Sequence, residues 1–386
     1  MASTGGASRG SVIVHVFGRT DVGRTREHNE DAFVVADLTA DDASLQPQVR
    51  THTVGERGTL FMVADGMGGA AAGEIASAMA TDVVLRELRS QWRAHPQPSP
   101  ESFATALKQA AAAANAEINQ YASHHAEYRG MGTTATIAGL LGDTLYLAQV
   151  GDSRAYLVRD GVARQITKDQ SLMQKLVEAG ELTEEEAEHS ERRNIILQAL
   201  GPEATIKVDL THQQVRKGDV LVLCSDGLSG QVSKDDIARV ASQEQDLVAV
   251  CKRLIDLANA AGGPDNITVI AARFDGDGLS VASQGDEVGH RVFPLNEGGS
   301  STPTSPMEAV TKASRTPTVP VRAVSRTTVP MDEPAAPVSA TRRGMGRAIA
   351  GVLLVVLLAA AAWFVSHIVR AAPAAPNASA ADSVRH

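Results

Sequence analysis

At 386 residues, 43% of them hydrophobic, the chain is long enough for one large domain with appendages and for a sizeable core. Its net charge of -9 excludes the basic stripe that a nucleic-acid surface requires, so no nucleic acid is expected as a partner. The two cysteines, Cys224 and Cys251, fall in an apolar run and in a helical pattern, which suits small buried side chains in a reducing compartment.

Residues 1–11 are small and polar, lack the charged-then-apolar order of a signal peptide, and are expected to be disordered. Short apolar runs bounded by Gly and Asp turns predict strands over 11–19, 60–64, 133–140, 144–150, 154–158, 206–210, 220–224 and 267–273. Helical patterns cover 73–89, 101–123, 172–179 and 247–260, the second favoured by its alanines. Turns such as Gly142-Asp143 and Asp160-Gly161 join successive strands, which implies antiparallel hairpins rather than βαβ units. An α+β layered domain over 12–275 follows.

Beyond it, 276–346 is rich in Pro, Ser and Thr, with repeated Thr-Pro and Val-Pro pairs (STPTSP, RTPTVP, TTVPMDEP) and no helical or strand period. We expect a disordered linker with a reach of about 45 Å. Residues 347–370 enclose an almost unbroken apolar stretch that as a helix spans about 33 Å, the thickness of a bilayer core. A single transmembrane helix is expected there, with a short extracytoplasmic tail at 371–386. Arg342, Arg343 and Arg347 precede the stretch, so the positive-inside rule places the catalytic domain in the cytoplasm at the cell membrane.

The placement of the acids is the chemical signal. Asp65 (LFMVADGMGG), Asp152 (LYLAQVGDSRAY), Asp226 (VLVLCSDGLSG) and Asp265 each lie at a strand end or in the turn beside one. Carboxylates that meet there raise one another's pKa unless a counter-charge is present. An all-oxygen set without His or Cys points to Mg2+ or Mn2+ rather than Zn2+. A single Asp-Gly is an ordinary turn; four at strand ends form a pattern.

Six runs then stand in a recognisable order: TREHNEDAF (25–33), VADGMGG (63–69), GMGTTAT (130–136), VGDSRAY (150–156), CSDGL (224–228) and GPDNIT (263–268). Together they resemble the successive motifs of the PPM family of metal-dependent protein phosphatases, of bacterial type, across about residues 12–274. The resemblance implies two packed antiparallel sheets flanked by helices, with a two-metal centre at one end of the sandwich. It implies that Asp65 bridges the two Mn2+ or Mg2+ ions, that the Gly66 carbonyl binds the second, and that Asp226 and Asp265 complete the first. Glu30 and Asp31 match the acidic pair reaching the second metal directly or through water. Asp152, with Asp226, matches the holder of a weaker third metal in many members.

By the same resemblance, Arg26 grips the substrate phosphate, a task for which a planar guanidinium with two parallel donors is suited. Arg19 and Arg24 are then surface charges. Asn266 is expected to orient a ligand or the attacking water, and Thr133 and Thr134 to be structural. The implied reaction is hydrolysis of phosphoserine and phosphothreonine in proteins by a hydroxide shared between two cations, opposing a Ser/Thr kinase. Two departures from the family pattern stand out. Met67 occupies a position where eukaryotic members carry a histidine, and Gln170 one where many bacterial members do. The stretch ELTEEEAEHSERRN (181–194) resembles the mobile flap beside the site. Two other readings are a catalytically inactive membrane scaffold that binds phosphoproteins, and an enzyme for small phosphate esters; the complete acid set and the tether favour the protein phosphatase.

Overall fold

The computed structural model describes residues 10–40, 51–190 and 192–295. The expected transmembrane helix, the tail, the N-terminal nine residues and the linker beyond 295 lie outside them. Among the described residues, no helix is long and apolar enough to cross a membrane.

The chain opens with β1 (Ile13–Asp21), β2 (Asp31–Asp37), β3 (Thr51–Thr53) and β4 (Thr59–Met67), followed by helices α1 (Ala70–Glu87) and α2 (Pro100–His124). Ser99 caps α2 through the Ser102 backbone N–H, with Pro100 at the first helical position, so the helix start is written into the sequence. Then come β5 (Gly132–Thr133), β6 (Ala135–Leu141), β7 (Thr144–Val150), β8 (Arg154–Arg159) and β9 (Val162–Gln165). The β8–β9 turn has both central residues, Asp160 and Gly161, at positive φ, the primed geometry that matches the twist of a hairpin. Two short helices, α3 (Leu172–Glu178) and α4 (Glu184–Glu188), precede β10 (Asp209–Gln214) and β11 (Val220–Cys224). Finally α5 (Asp226–Ser229), α6 (Lys234–Gln243) and α7 (Leu247–Ala260) lead into β12 (Ile267–Asp275).

The strands form two antiparallel sheets. One has the order β3-β1-β12-β11-β8-β9, the other β10-β7-β6-β4-β2, with β5 paired to the end of β4. Phe61, Val63, Leu140 and Leu147 of the second sheet meet Val14, Val16, Leu221, Leu223 and Ile270 of the first in one buried cluster. The outer face of the second sheet packs on α1 and α2 through Met62, Val84, Phe103 and Leu107. That of the first packs on α6 and α7 through Val222, Ile237, Leu254 and Val269. Strands covered on both faces read as near-continuous apolar runs, as over 60–64 of β4, 220–224 of β11 and 269–272 of β12. The expected four-layer α+β sandwich is the observed one. Both cysteines are buried free thiols, and burial pushes each up to about 12.

The domain does not stop at 275, where the linker was expected to begin. Residues 276–295 form a strap back across the domain. Arg216 pairs with Asp286 through two hydrogen bonds of 2.9 Å, and the buried Arg159 donates to the Asp286 carbonyl. Val292 bridges to Thr211 of β10, and the Phe293 ring packs edge-on against Tyr146 and His212. The sequence concealed this because the strap's apolar residues, Leu279, Val288, Phe293 and Leu295 among them, pack on the core without a helical or strand period.

Candidate metal centre

The antiparallel order brings the C-terminal ends of β4, β7 and β11 and the N-terminal ends of β2, β8 and β12 to one end of the sandwich. Asp65 ends its apolar strand there, and Asp31 stands directly opposite it on β2. Asp226 opens α5 immediately after β11, Asp152 lies in the turn between β7 and β8, and Asp265 precedes β12. Asp65 and Asp226 are within hydrogen-bonding reach of each other.

Asp65 is fixed by its backbone. Its N–H donates to Thr134 Oγ1 at 3.0 Å, and its carbonyl accepts from the Thr134 N–H at 2.8 Å and the Thr133 hydroxyl at 2.9 Å. Thr133 and Thr134 are therefore structural, as expected. Gly66 follows, where a Cβ would stand 2.2 Å from the Gly73 carbonyl oxygen and 2.5 Å from that of Glu30. A Cβ on Gly73 would lie 1.9 Å from Glu30 Oε2. Two glycines thus make the slot in which the buried Glu30 sits.

The cluster carries more negative charge than it can hold alone. Burial, then the charges of Asp31, Asp226, Asp152 and Asp265, push Asp65 well above the ordinary carboxylate range. Burial chiefly raises Asp31 to about 7 and Asp152 to about 8, and raises Asp226 and Glu30. Asp31 Oδ1 is buried with no hydrogen-bond partner, a state that costs free energy unless something positive meets it. An all-oxygen, strongly anionic set with an orphaned acceptor fits hard divalent cations. Among the described residues, no three His, Cys, Asp or Glu side chains close on one point at coordinating geometry. The acids are gathered but turned to protein partners: Asp265 accepts from Arg26 at 2.9 Å, and Asp31 Oδ2 from two hydroxyls.

Arg26 lies on the rim, its side chain half-exposed, with its guanidinium also 3.9 Å from Glu30. Asn266 faces the backbone around Glu30, the first of the two placements expected of it, and not a water site. Its Nδ2 donates to the Val22 and His28 carbonyls at 2.9 and 2.8 Å, while its Oδ1 accepts the Glu30 N–H at 2.8 Å. With both amide hydrogens given to backbone, it ties down the loop that presents Arg26 and Glu30 and has none left for an attacking water.

The excursion between β9 and β10 is clamped at its stem. Arg154 takes Asp169 through both Nε and Nη2, and Gln170 accepts the Gly151 N–H at 3.0 Å while donating to Asp209. Gln170 thus fills a structural position next to Asp152. Arg193, from the same excursion, offsets a small part of the rise that burial and Asp265 impose on the Asp226 carboxyl. Arg154, Arg193, Ser225 and Thr268 gain their roles only in the fold, since a charge or hydroxyl beside a strand end has no distinguishing spacing.

The model of the protein phosphatase 2C family matches residues 34–267, more than half of the chain. The chain belongs to the protein phosphatase 2C family. It is a protein-serine/threonine phosphatase. Among its relatives, the serine/threonine phosphatase stp of Listeria monocytogenes is 36% identical over 263 residues, covering 68% of this chain and 96% of that one. The serine/threonine protein phosphatase PstP of Mycobacterium tuberculosis is 37% identical over 266 residues, 69% of this chain but 46% of that longer protein. The Streptococcus agalactiae serine/threonine phosphatase structure superposes with a TM-score of 0.58 at 35% identity, covering 67% of this chain and 99% of that one. A PstP catalytic domain solved with two manganese ions does so with a TM-score of 0.56 at 34% identity, covering 68% of this chain and 99% of that one.

Proposed function

We propose that this phosphatase removes phosphate from serine and threonine side chains of proteins with two Mn2+ or Mg2+ ions held at the acid cluster. The observation that supports this most directly is the convergence of Asp31, Asp65, Asp152 and Asp226 at one end of the sandwich, with Asp31 Oδ1 left without a partner, where burial and mutual charge raise all four carboxyls. The manganese-bound relative is consistent with it. When bound, such cations offset charge on the phosphoryl oxygens and make water nucleophilic near neutral pH.

In this reading Asp65 lies between the two sites. Asp226 and Asp265 complete one; the Gly66 carbonyl, Glu30 and Asp31 serve the other; Asp152 with Asp226 holds a weaker third. Arg26 receives the phosphate dianion on its two-pronged guanidinium and in doing so exchanges Asp265 for substrate oxygens. Met67 carries no transferable proton, so the departing alkoxide takes its proton from water. The complete set of acids argues against an inactive scaffold.

The opposing activity is a Ser/Thr protein kinase that supplies these phosphoproteins. We place the chain at the cell membrane, the domain cytoplasmic, on the apolar stretch within 347–370 and its preceding arginines. The test is hydrolysis of a phosphothreonine peptide by the full chain with Mn2+, with chelator, and by Asp65→Asn. Phosphate release that requires Mn2+ and disappears in the variant supports the reading. Release that persists in chelator refutes it.

A further inference from the structure

Asp31 is held from one side only. Its Oδ2 accepts two hydroxyl hydrogens, from Ser225 and from Thr268, each at 2.7 Å. Ser225 and Thr268 are fully buried, one at the end of β11 and the other at the start of β12. Behind Thr268 the chain of contacts continues to Thr20 Oγ1 at 2.8 Å, and from there to Asn29 Nδ2, also at 2.8 Å.

The direction of this chain is fixed at both ends. The Asn29 amide nitrogen can only donate, so Thr20 accepts from it; an ionised Asp31 can only accept, so when Thr268 gives Asp31 its single hydrogen the Thr20–Thr268 contact is made with the Thr20 hydrogen. Ser225 Oγ accepts the Thr268 backbone N–H at 3.0 Å and donates its hydrogen to the same Asp31 oxygen. Asn29 Oδ1 meanwhile receives the Asp31 N–H at 3.2 Å. With Asp31 ionised, one of its carboxylate oxygens takes both hydroxyl hydrogens, and the other has no hydrogen-bond partner.

We propose that Thr268 and Ser225, backed by Thr20 and Asn29, are positioning residues that pin Asp31 Oδ2 and so present Asp31 Oδ1 to a divalent cation or its water. This rests on the metal reading above. Two fully buried hydroxyls ending on one oxygen, one of them backed by the half-buried Thr20 and Asn29, are an expensive way to fill space, since apolar residues of the same shape pack without that requirement.

The test is calorimetric Mn2+ titration of the full chain as wild type, Thr268→Val and Thr268→Ser, with melting temperatures and the Mn2+ dependence of phosphopeptide hydrolysis alongside. Valine keeps the shape and removes the donor. We expect it to weaken Mn2+ binding about ten- to a hundred-fold, with the Mn2+ level for half-maximal activity rising equally, and serine to restore both to within about twofold. Valine binding Mn2+ as wild type does, or serine as weak as valine, overturns the proposal. Should Thr268→Val not fold, Thr20→Val removes the next link without touching Asp31; weaker Mn2+ binding there supports the proposal and unchanged binding overturns it. A wild-type chain that binds no Mn2+ at all refutes the metal reading itself, a result distinct from either.

Discussion

Asp31 and Asp65 stand face to face on neighbouring antiparallel strands, β2 and β4. Like charges directly opposite one another destabilise a sheet. Here both are half-buried, and Asp226, Asp152 and Asp265 add to the same field. A sheet that places two acids opposite each other, at the end where three more arrive, is organised around a positive charge it does not itself supply.

This gives the cation-free protein an unusual pH dependence. Asp31 at about 7 and Asp152 at about 8, with Asp65 also raised, bind protons more tightly folded than unfolded. Their contribution to stability is full below pH about 4 and is lost as pH rises through the folded values, by at most about 1.4 kcal/mol per pH unit for each group. In chelator, the melting temperature should therefore fall between pH 5 and 8. Saturating Mn2+ should abolish or invert that fall. Thermal denaturation at each pH with and without metal measures both.

Gly73→Ala separates site from scaffold. The position is inside α1, where alanine favours the helix by about 1 kcal/mol. Yet the new Cβ would overlap Glu30 Oε2 and stand 2.9 Å from the Gly66 carbonyl carbon, so Glu30 must leave its slot and the Gly66 backbone must give. We expect a folded protein that loses about tenfold or more in phosphopeptide hydrolysis, close to the loss in Glu30→Gln, as steady-state assays of both would show.

Arg159 and Asp219 are the buried ion pair of the scaffold, joined at 2.9 and 2.6 Å, with Arg159 also donating to the Gln214 and Asp286 carbonyls. Removing one partner leaves a charge without compensation. Asp219→Ala should cost about 3–5 kcal/mol in denaturant unfolding, with the metal centre at the other end of β8 intact in whatever fraction stays folded.

The strap predicts where the catalytic domain can be cut. A chain ending at 275 loses the Arg216–Asp286 pair and the Phe293 contacts with Tyr146 and His212; one ending at 295 keeps them. The shorter chain should melt about 4 °C or more below the longer, while its activity at low temperature survives. Differential scanning calorimetry of the two decides it.

The sandwich was legible where burial on both faces writes a near-continuous apolar run, as in β4, β11 and β12. Strand β10 was expected at 206–210 and lies at Asp209–Gln214, because its inward residues include Thr211 and Gln213, whose partners are other polar groups. Strand β2 was missed, being short and half-covered, and with it went any derivation of Asp31, which only the family resemblance supplied. Helix α6 was missed as well: its sequence KDDIARVASQ is mostly polar, and only Ser233 marks its start. The converging aspartates could be read from strand ends alone. Asn266 could not, since its partners are carbonyls of a loop more than two hundred residues earlier. Ser225 and Thr268 were hidden for the same reason: their hydroxyls matter only once β2 is in place.

The most direct measurement is a crystal of the chain soaked in Mn2+ and examined by anomalous scattering at the manganese edge. The account predicts two peaks flanking the Asp65 carboxylate, about 3.5–4 Å apart, one also reached by Asp226 and Asp265 and the other by the Gly66 carbonyl and Glu30. A well-ordered soaked crystal with no peak within coordinating distance of Asp65 would contradict it.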